Sequence, residues 1–136
     1  VNEDYVVEVV RVVPTNPARL FQFWTSPTEL IPFLGLSRGE VDARVGGKWF
    51  WAWTGEPCGG EFTAVEQPNR LAFTFSGWGR DDTPTGLTQM EIRLDAEGDA
   101  TRMTIRHVLN GPEVYDDYVT GWTGSSDAVV DLFSKC

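Results

Sequence analysis

Histidine occurs once in this 136-residue chain, as His107, and cysteine twice, as Cys58 and Cys136. A zinc site draws on several closely spaced Cys and His ligands, so this inventory holds no zinc motif and no metal is expected. Cys58 stands beside Gly59-Gly60 and Cys136 is the last residue, where a bridge would tether a chain end. Free thiols in a reducing cytoplasm are the expectation. Positive charge is also scarce: 11 Lys and Arg against 20 Asp and Glu leave a formal net charge of -9. Nucleic-acid affinity rests on clustered cations that displace counterions, so nucleic acid is not an expected partner. No apolar run has the length needed to cross a bilayer, and residues 1–15 lack a basic start followed by an apolar stretch, so no membrane insertion is expected. There is no Gly-x-Ser-x-Gly elbow and no phosphate loop, since Gly46-Gly47 precedes a strand pattern rather than a helix. Asp42, Glu61 and Glu66 form no paired carboxylate motif, and Asp81-Asp82 and Asp116-Asp117 read as solvated charge. No cofactor is implied.

Tryptophan, by contrast, is plentiful, and three of the six fall at alternate positions, Trp49, Trp51 and Trp53. In a strand successive side chains point to opposite faces, so these three indoles share one side of a sheet. Such a wall has two uses. It is either filled by other side chains as core, or left facing a concave apolar space that takes a ligand.

The chain length fits one domain. Tyr5 to Val13 is Val-rich and reads as a strand ending at Pro14. Thr15 or Asn16 offers an N-cap, Pro17 a first helical turn, and Leu20, Phe21, Phe23 and Trp24 an apolar stripe. Ser26-Pro27 interrupts, and Thr28 to Phe33 gives a second short helix. Strands are predicted at Val41 to Val45, Lys48 to Thr54, Gly60 to Glu66, Leu71 to Ser76, Thr85 to Asp95 and Thr101 to Leu109. Turns separate them at Gly46-Gly47, Thr54 to Pro57, Gln67 to Asn69 and Glu97 to Asp99. Gly77 to Pro84, with Trp78, reads as a lip. After Pro112-Glu113, Tyr118, Trp122, Ser125 or Ser126, Val129 and Phe133 recur at helical spacing, one face of a long helix. Gly121 and Gly124 weaken that helix on propensity but allow close packing on a sheet. The order defines an α+β fold, a curled antiparallel sheet with the long helix in its concavity.

Several segments line up with one family. Leu20-Phe21 with Trp24 to Pro27, Phe33 to Gly35, Val41 to Trp49, Gly60 to Phe62, Pro68 to Thr74, Thr101 to His107 and Gly121-Trp122 resemble the activator of Hsp90 ATPase homologue family of the START-like (SRPBCC) helix-grip superfamily. The resemblance runs from about Val7 to Phe133 and implies a single helix-grip domain over residues 1–136, with a sheet of six to seven strands around the C-terminal helix. It further implies binding of lipids, polyketides or other apolar molecules, while relatives in the superfamily include aromatase/cyclase enzymes. The chain lacks the separate N-terminal domain of the eukaryotic co-chaperones, so chaperone binding is not expected.

His107 shares a strand face with Met103, Ile105 and Leu109, which puts it at the cavity or its rim. It is open to two roles: a ligand-binding or acid/base group, or a wall histidine bonded to Tyr118 or a backbone carbonyl, which is favoured. Tyr118 either orients a ligand or anchors helix to sheet. Phe62, Phe73, Phe75, Met90 and Ile92 extend the lining, with Trp122 from the helix. The expected function is non-enzymatic binding of a small hydrophobic or aromatic molecule between sheet and C-terminal helix. The alternatives are a polyketide cyclase-like enzyme using His107 as acid or base, and a chaperone-interaction module. A homodimer contact through aromatics such as Phe50 is a further option.

Overall fold

The computed structural model describes residues 4–53, 56–76, 88–112 and 115–135, with the backbone alone at 53, 56 and 57. The first strand, β1 (Val6–Val13), follows its valines: Val7, Val9 and Val13 are buried, whereas Glu8, Val10 and Val12 face outward. Helix α1 (Pro17–Trp24) starts at Asn16, whose Oδ1 accepts from the Arg19 amide at 2.8 Å, with proline inside the first turn. Helix α2 (Pro27–Leu34) is capped by Ser26 and stops at Gly35, whose φ of 69° suits a residue without Cβ.

Six further strands follow: β2 (Arg38–Val41), β3 (Lys48–Trp53), β4 (Glu56–Glu66), β5 (Arg70–Phe75), β6 (Thr88–Glu97) and β7 (Ala100–Val108). The chain then enters α3 (Tyr115–Ser134). The strands form one antiparallel sheet in the order β1-β7-β6-β5-β4-β3-β2, so β1 closes back on the last strand. Helix α3 packs along β1, α1 on β6 and α2 on β2, which covers the inner face from both edges.

Two expected boundaries move. The strand placed at residues 41–45 lies at 38–41, because Val45 is exposed and Gly46 takes a φ of 84°, making residues 42–47 the return into β3. Glu56 and Pro57, expected in a turn, open β4 instead and pair with Trp53 and Ala52. A register shift between Phe62 and Ala64 bulges β4. Phe62 therefore faces inward beside Phe73, and Val65 still meets Leu71 on the same side. The proposed lip at Gly77 to Pro84 lies outside the described residues, as do Thr54, Gly55, Glu113 and Cys136.

The core sits between the sheet and the helices. Leu71, Phe73 and Phe75 from β5, Met90, Ile92 and Leu94 from β6, and Met103 and Ile105 from β7 form its floor. Tyr118, Trp122, Ser126 and Val129 are the buried stripe of α3. Phe23 ties the three helices together, with ring centroids 5.1 Å from Phe33 on α2 and 5.6 Å from Phe133 on α3. No described helix is long and apolar enough to cross a membrane.

Candidate functional site

The tryptophan wall is real, and the sheet explains its depth. Trp49 and Trp51 are 3% and 5% exposed with ring centroids 5.0 Å apart, while the Trp53 side chain lies outside the described residues. Trp49 is paired across β4 with Gly60. A Cβ at Gly60 would lie 1.9 Å from the Thr74 carbonyl oxygen and 2.8 Å from Trp49 Nε1. The bare glycine thus lets the indole lie across β4 and donate to the Thr74 carbonyl of β5 at 3.0 Å. Contacts to Phe73 and Phe75, at 5.3 and 5.2 Å between centroids, complete its packing. Trp49 is therefore held on every side by protein.

Side chains fill most of the space in front of this wall. Trp24 reaches in from α1 and, with Trp49, Trp51, Phe62, Phe73 and Ile92, leaves a gap of only about 10 Å³. The larger opening, about 60 Å³, lies on the other side of Trp51, between α2, the sheet and α3. Among the described residues its lining is Leu34, Trp51, Phe75, Tyr118, Gly121, Trp122 and Ser125. The four α3 residues follow the i, i+3, i+4, i+7 rule for one helix face. Phe75, Tyr118 and Trp122 are buried, whereas Leu34, Gly121 and Ser125 are partly exposed and form the mouth. Trp51 belongs to both spaces, and its Nε1, like that of Trp24, is buried without a hydrogen-bond partner.

His107 is fully buried behind this lining and is not part of it. Its ring packs 4.9 Å from Phe75 and 4.6 Å from Tyr118. Trp122 Nε1 donates to His107 Nδ1 at 3.1 Å, which requires Nδ1 to be unprotonated. In the neutral ring Nε2 then carries the hydrogen and donates to Thr88 Oγ1 at 2.7 Å. The threonine hydroxyl in turn donates to the Phe75 carbonyl at 2.8 Å. Burial pushes the imidazole pKa down to about 3, so the ring stays neutral across the physiological range. Both nitrogens are committed, leaving no proton or lone pair for a ligand in the cleft.

The other titratable groups here are equally quiet. Burial raises the Cys58 thiol to about 12. Burial, with Cys58 and Asp117 nearby, lifts the Tyr118 hydroxyl well above its ordinary range. Among the described residues no group of three or more His, Cys, Asp or Glu is placed to hold a metal.

The structure thus divides the residues singled out from the sequence. Trp51, Phe75, Tyr118 and Trp122 meet at the cleft; Trp49, Phe62, Phe73 and Ile92 pack the gap behind it; Met90 is buried in the floor. Of the two serines, Ser125 reaches the cleft and Ser126 is buried, its Oγ without a partner. Leu34 and Thr88 were not foreseen. Leu34 comes from a short helix whose docking the local sequence does not specify. Thr88 stands two residues before Met90, the partner of His107 in the β6–β7 register, and so reaches the imidazole diagonally. That diagonal is legible only once the register is known.

A curled seven-stranded antiparallel sheet gripping a C-terminal helix, with two short helices after the first strand, defines the helix-grip class of START-like domains. The chain belongs to the family described as activator of Hsp90 ATPase homolog 1-like protein, whose pattern matches residues 14–133. No curated protein sequence matches it. Solved structures share the fold at low identity. An HSP90 activator from Plasmodium falciparum superposes with TM-score 0.78 at 19% identity, covering 93% of this chain and 94% of its own. The Aha1 dimer from Colwellia psychrerythraea gives 0.80 at 13% identity, covering 94% and 95%. CalU16 from Micromonospora echinospora gives 0.77 at 20% identity, covering 96% and 76%. Identities this low establish the fold alone.

Family membership makes the chain a binding or adaptor domain rather than an enzyme. It also corrects one expectation. Chaperone binding is not expected from the sequence, whereas membership of a family described by activation of the Hsp90 ATPase implies a chaperone interaction. The physical flaw in the expectation is that the presence or absence of a neighbouring domain says nothing about the binding surface of this one.

Proposed function

We propose that the chain is a non-catalytic adaptor whose macromolecular partner is an Hsp90-type chaperone. The match to the Hsp90-activator family over residues 14–133 carries this reading, and the Plasmodium falciparum relative that superposes over nearly its whole length is itself an HSP90 activator. The charge distribution fits a partner with a basic face. Every Lys and Arg among the described residues lies within 3.8 Å of a carboxylate oxygen, so the described surface presents no unpaired Lys or Arg, and the chain carries a net charge of -9. Such a surface speeds association with a basic one and makes it salt-dependent. The test is titration of the chain into the chaperone of the same organism, reading binding and ATP hydrolysis. No binding from low to physiological salt would end this reading.

A second reading, small-molecule binding, has its own observation: the cleft of about 60 Å³ walled by Trp51, Phe75, Tyr118 and Trp122. An apolar cavity of roughly 150 Å³ holds benzene, so this cleft takes only a small apolar group, or the end of a larger molecule projecting through the mouth. That size, with His107 neutral and doubly bonded, removes support for a polyketide cyclase mechanism. Saturable quenching of tryptophan fluorescence by small apolar probes would support the second reading, and its absence across a broad set would end it. A reducing, cytoplasmic setting is in keeping with the buried free thiol of Cys58.

A further inference from the structure

We propose that the cleft is the anchor pocket of the chaperone interface: it takes up the branched end of one Val, Leu or Ile side chain on the chaperone, flanked there by Lys or Arg. This deepens the adaptor reading above and rests on it.

The size of the cleft favours an attached group over a free molecule. A cavity of roughly 150 Å³ holds the ring of benzene, so about 60 Å³ holds about three or four carbon atoms, the end of one aliphatic side chain. At the best efficiency known per heavy atom, a free molecule of that size binds no tighter than on the order of tens of micromolar. A side chain projecting from a protein escapes this limit, because the surface around it contributes the rest of the binding.

The surroundings of the mouth supply such a surface. Leu34, Gly121 and Ser125 open the cleft outward, each partly exposed. Ile31, one turn before Leu34 on α2, and Phe33 are likewise partly exposed, and Leu30 is the one buried residue of that apolar helix. Behind the mouth the walls are preformed. Trp122 is fixed by its bond to His107, and Phe75 packs against both Tyr118 and Trp122, at 5.8 and 6.3 Å between ring centroids. A carboxylate stands beside this opening: Asp117 is exposed on α3 one turn before Gly121, and its charge helps to raise the Tyr118 hydroxyl. Every described Lys and Arg is already ion-paired, so a chaperone segment with a cation next to its aliphatic anchor meets a field of complementary sign.

The test is the affinity of the chain for the whole chaperone of the same organism, measured by isothermal titration calorimetry for wild type, Ser125→Leu, Ser125→Asp and, as a control in the turn before β3, Val45→Ser. Leucine plugs the mouth. Aspartate makes it polar while adding the sign of charge that a basic partner attracts, so a loss with both variants is a loss of the pocket and not of long-range attraction. Each Ser125 variant should bind at least about tenfold more weakly than wild type, and Val45→Ser within about twofold of it. If the Ser125 variants do not fold, cross-linking decides. A photoreactive benzoylphenylalanine in place of Gly124, next to Ser125 on α3, has open space at its Cβ and should capture the chaperone, whereas one in place of the exposed Val45 should not. A folded Ser125 variant that binds as tightly as wild type, or no capture from Gly124, overturns the pocket assignment and leaves the adaptor reading standing. A wild-type chain that binds the chaperone at no salt concentration overturns both.

Discussion

Trp122 on α3 donates its indole N–H to His107 on β7 across 3.1 Å, and this bond decides what the only histidine of the chain does. An imidazole that accepts at Nδ1 and donates at Nε2 is fixed in one tautomer, neutral, with nothing left to exchange. The same bond fastens the long helix to β7, next to the edge strand β1, beside the cleft that Trp122 helps to wall. The histidine is thus a positioning group for the wall.

His107 should not titrate near its ordinary value. The folded pKa is near 3 and the ordinary value 6.5, so below pH 6.5 the unfolded chain takes up a proton that the folded chain refuses. This contribution to stability is full above 6.5 and is lost as pH falls from 6.5 toward 3, at ~1.4 kcal/mol per pH unit for one proton. Denaturant unfolding between pH 5 and 6.5, above most carboxylate titration, should show this slope, and His107→Gln should flatten it. Imidazole ¹⁵N shifts that stay those of a neutral ring down to pH 5 would agree; a midpoint near 6.5 would not.

Gly60→Ala should destabilise the fold by ~2–3 kcal/mol, a large effect for one methyl group, because the obstacle is backbone rather than a flexible side chain. The new Cβ would meet the Thr74 carbonyl at 1.9 Å and crowd the Trp49 indole. Chemical denaturation measures the loss, and a change in the Trp49 N–H signal would report the damaged bond to Thr74.

Cys58 should be inert in the folded protein. Its thiol is buried and raised to about 12, so almost no thiolate exists at neutral pH. In a Cys136→Ser background, a thiol reagent should react only as fast as the protein unfolds, and immediately in denaturant. Rapid reaction under native conditions would contradict the described packing of β4.

Ser125→Leu should fill the mouth of the cleft. Ser125 is partly exposed and lines the opening, so the larger side chain has an outlet and stability should change by less than ~1 kcal/mol. Binding of small apolar probes should fall at least tenfold. Unchanged probe binding with an intact fold would place the probes elsewhere.

Much of the fold was legible because periodicity and capping are local. Alternation along Val6–Val13 and the repeat of Tyr118, Trp122 and Val129 each mark one buried face. Asn16 with Pro17 marks a helix start in the same way. The site was legible only in part. Alternation put Trp49 and Trp51 on one wall but could not say that Trp24, from another element, would occupy most of the space before it. Nor did anything near His107 in sequence announce Thr88, which reaches it through strand register, or Trp122, which reaches it through the docking of α3. The partner is not legible from the presence or absence of a neighbouring domain, because that says nothing about the surface of this one.

As an adaptor for an Hsp90-type chaperone, this acidic helix-grip domain should alter that chaperone's turnover. The decisive measurement is the ATPase rate of the chaperone from the same organism, titrated with the chain at low and at physiological salt. A saturable change in rate is expected, with apparent affinity weakening as salt rises. A rate unaffected at every concentration, together with no detectable complex, would contradict it.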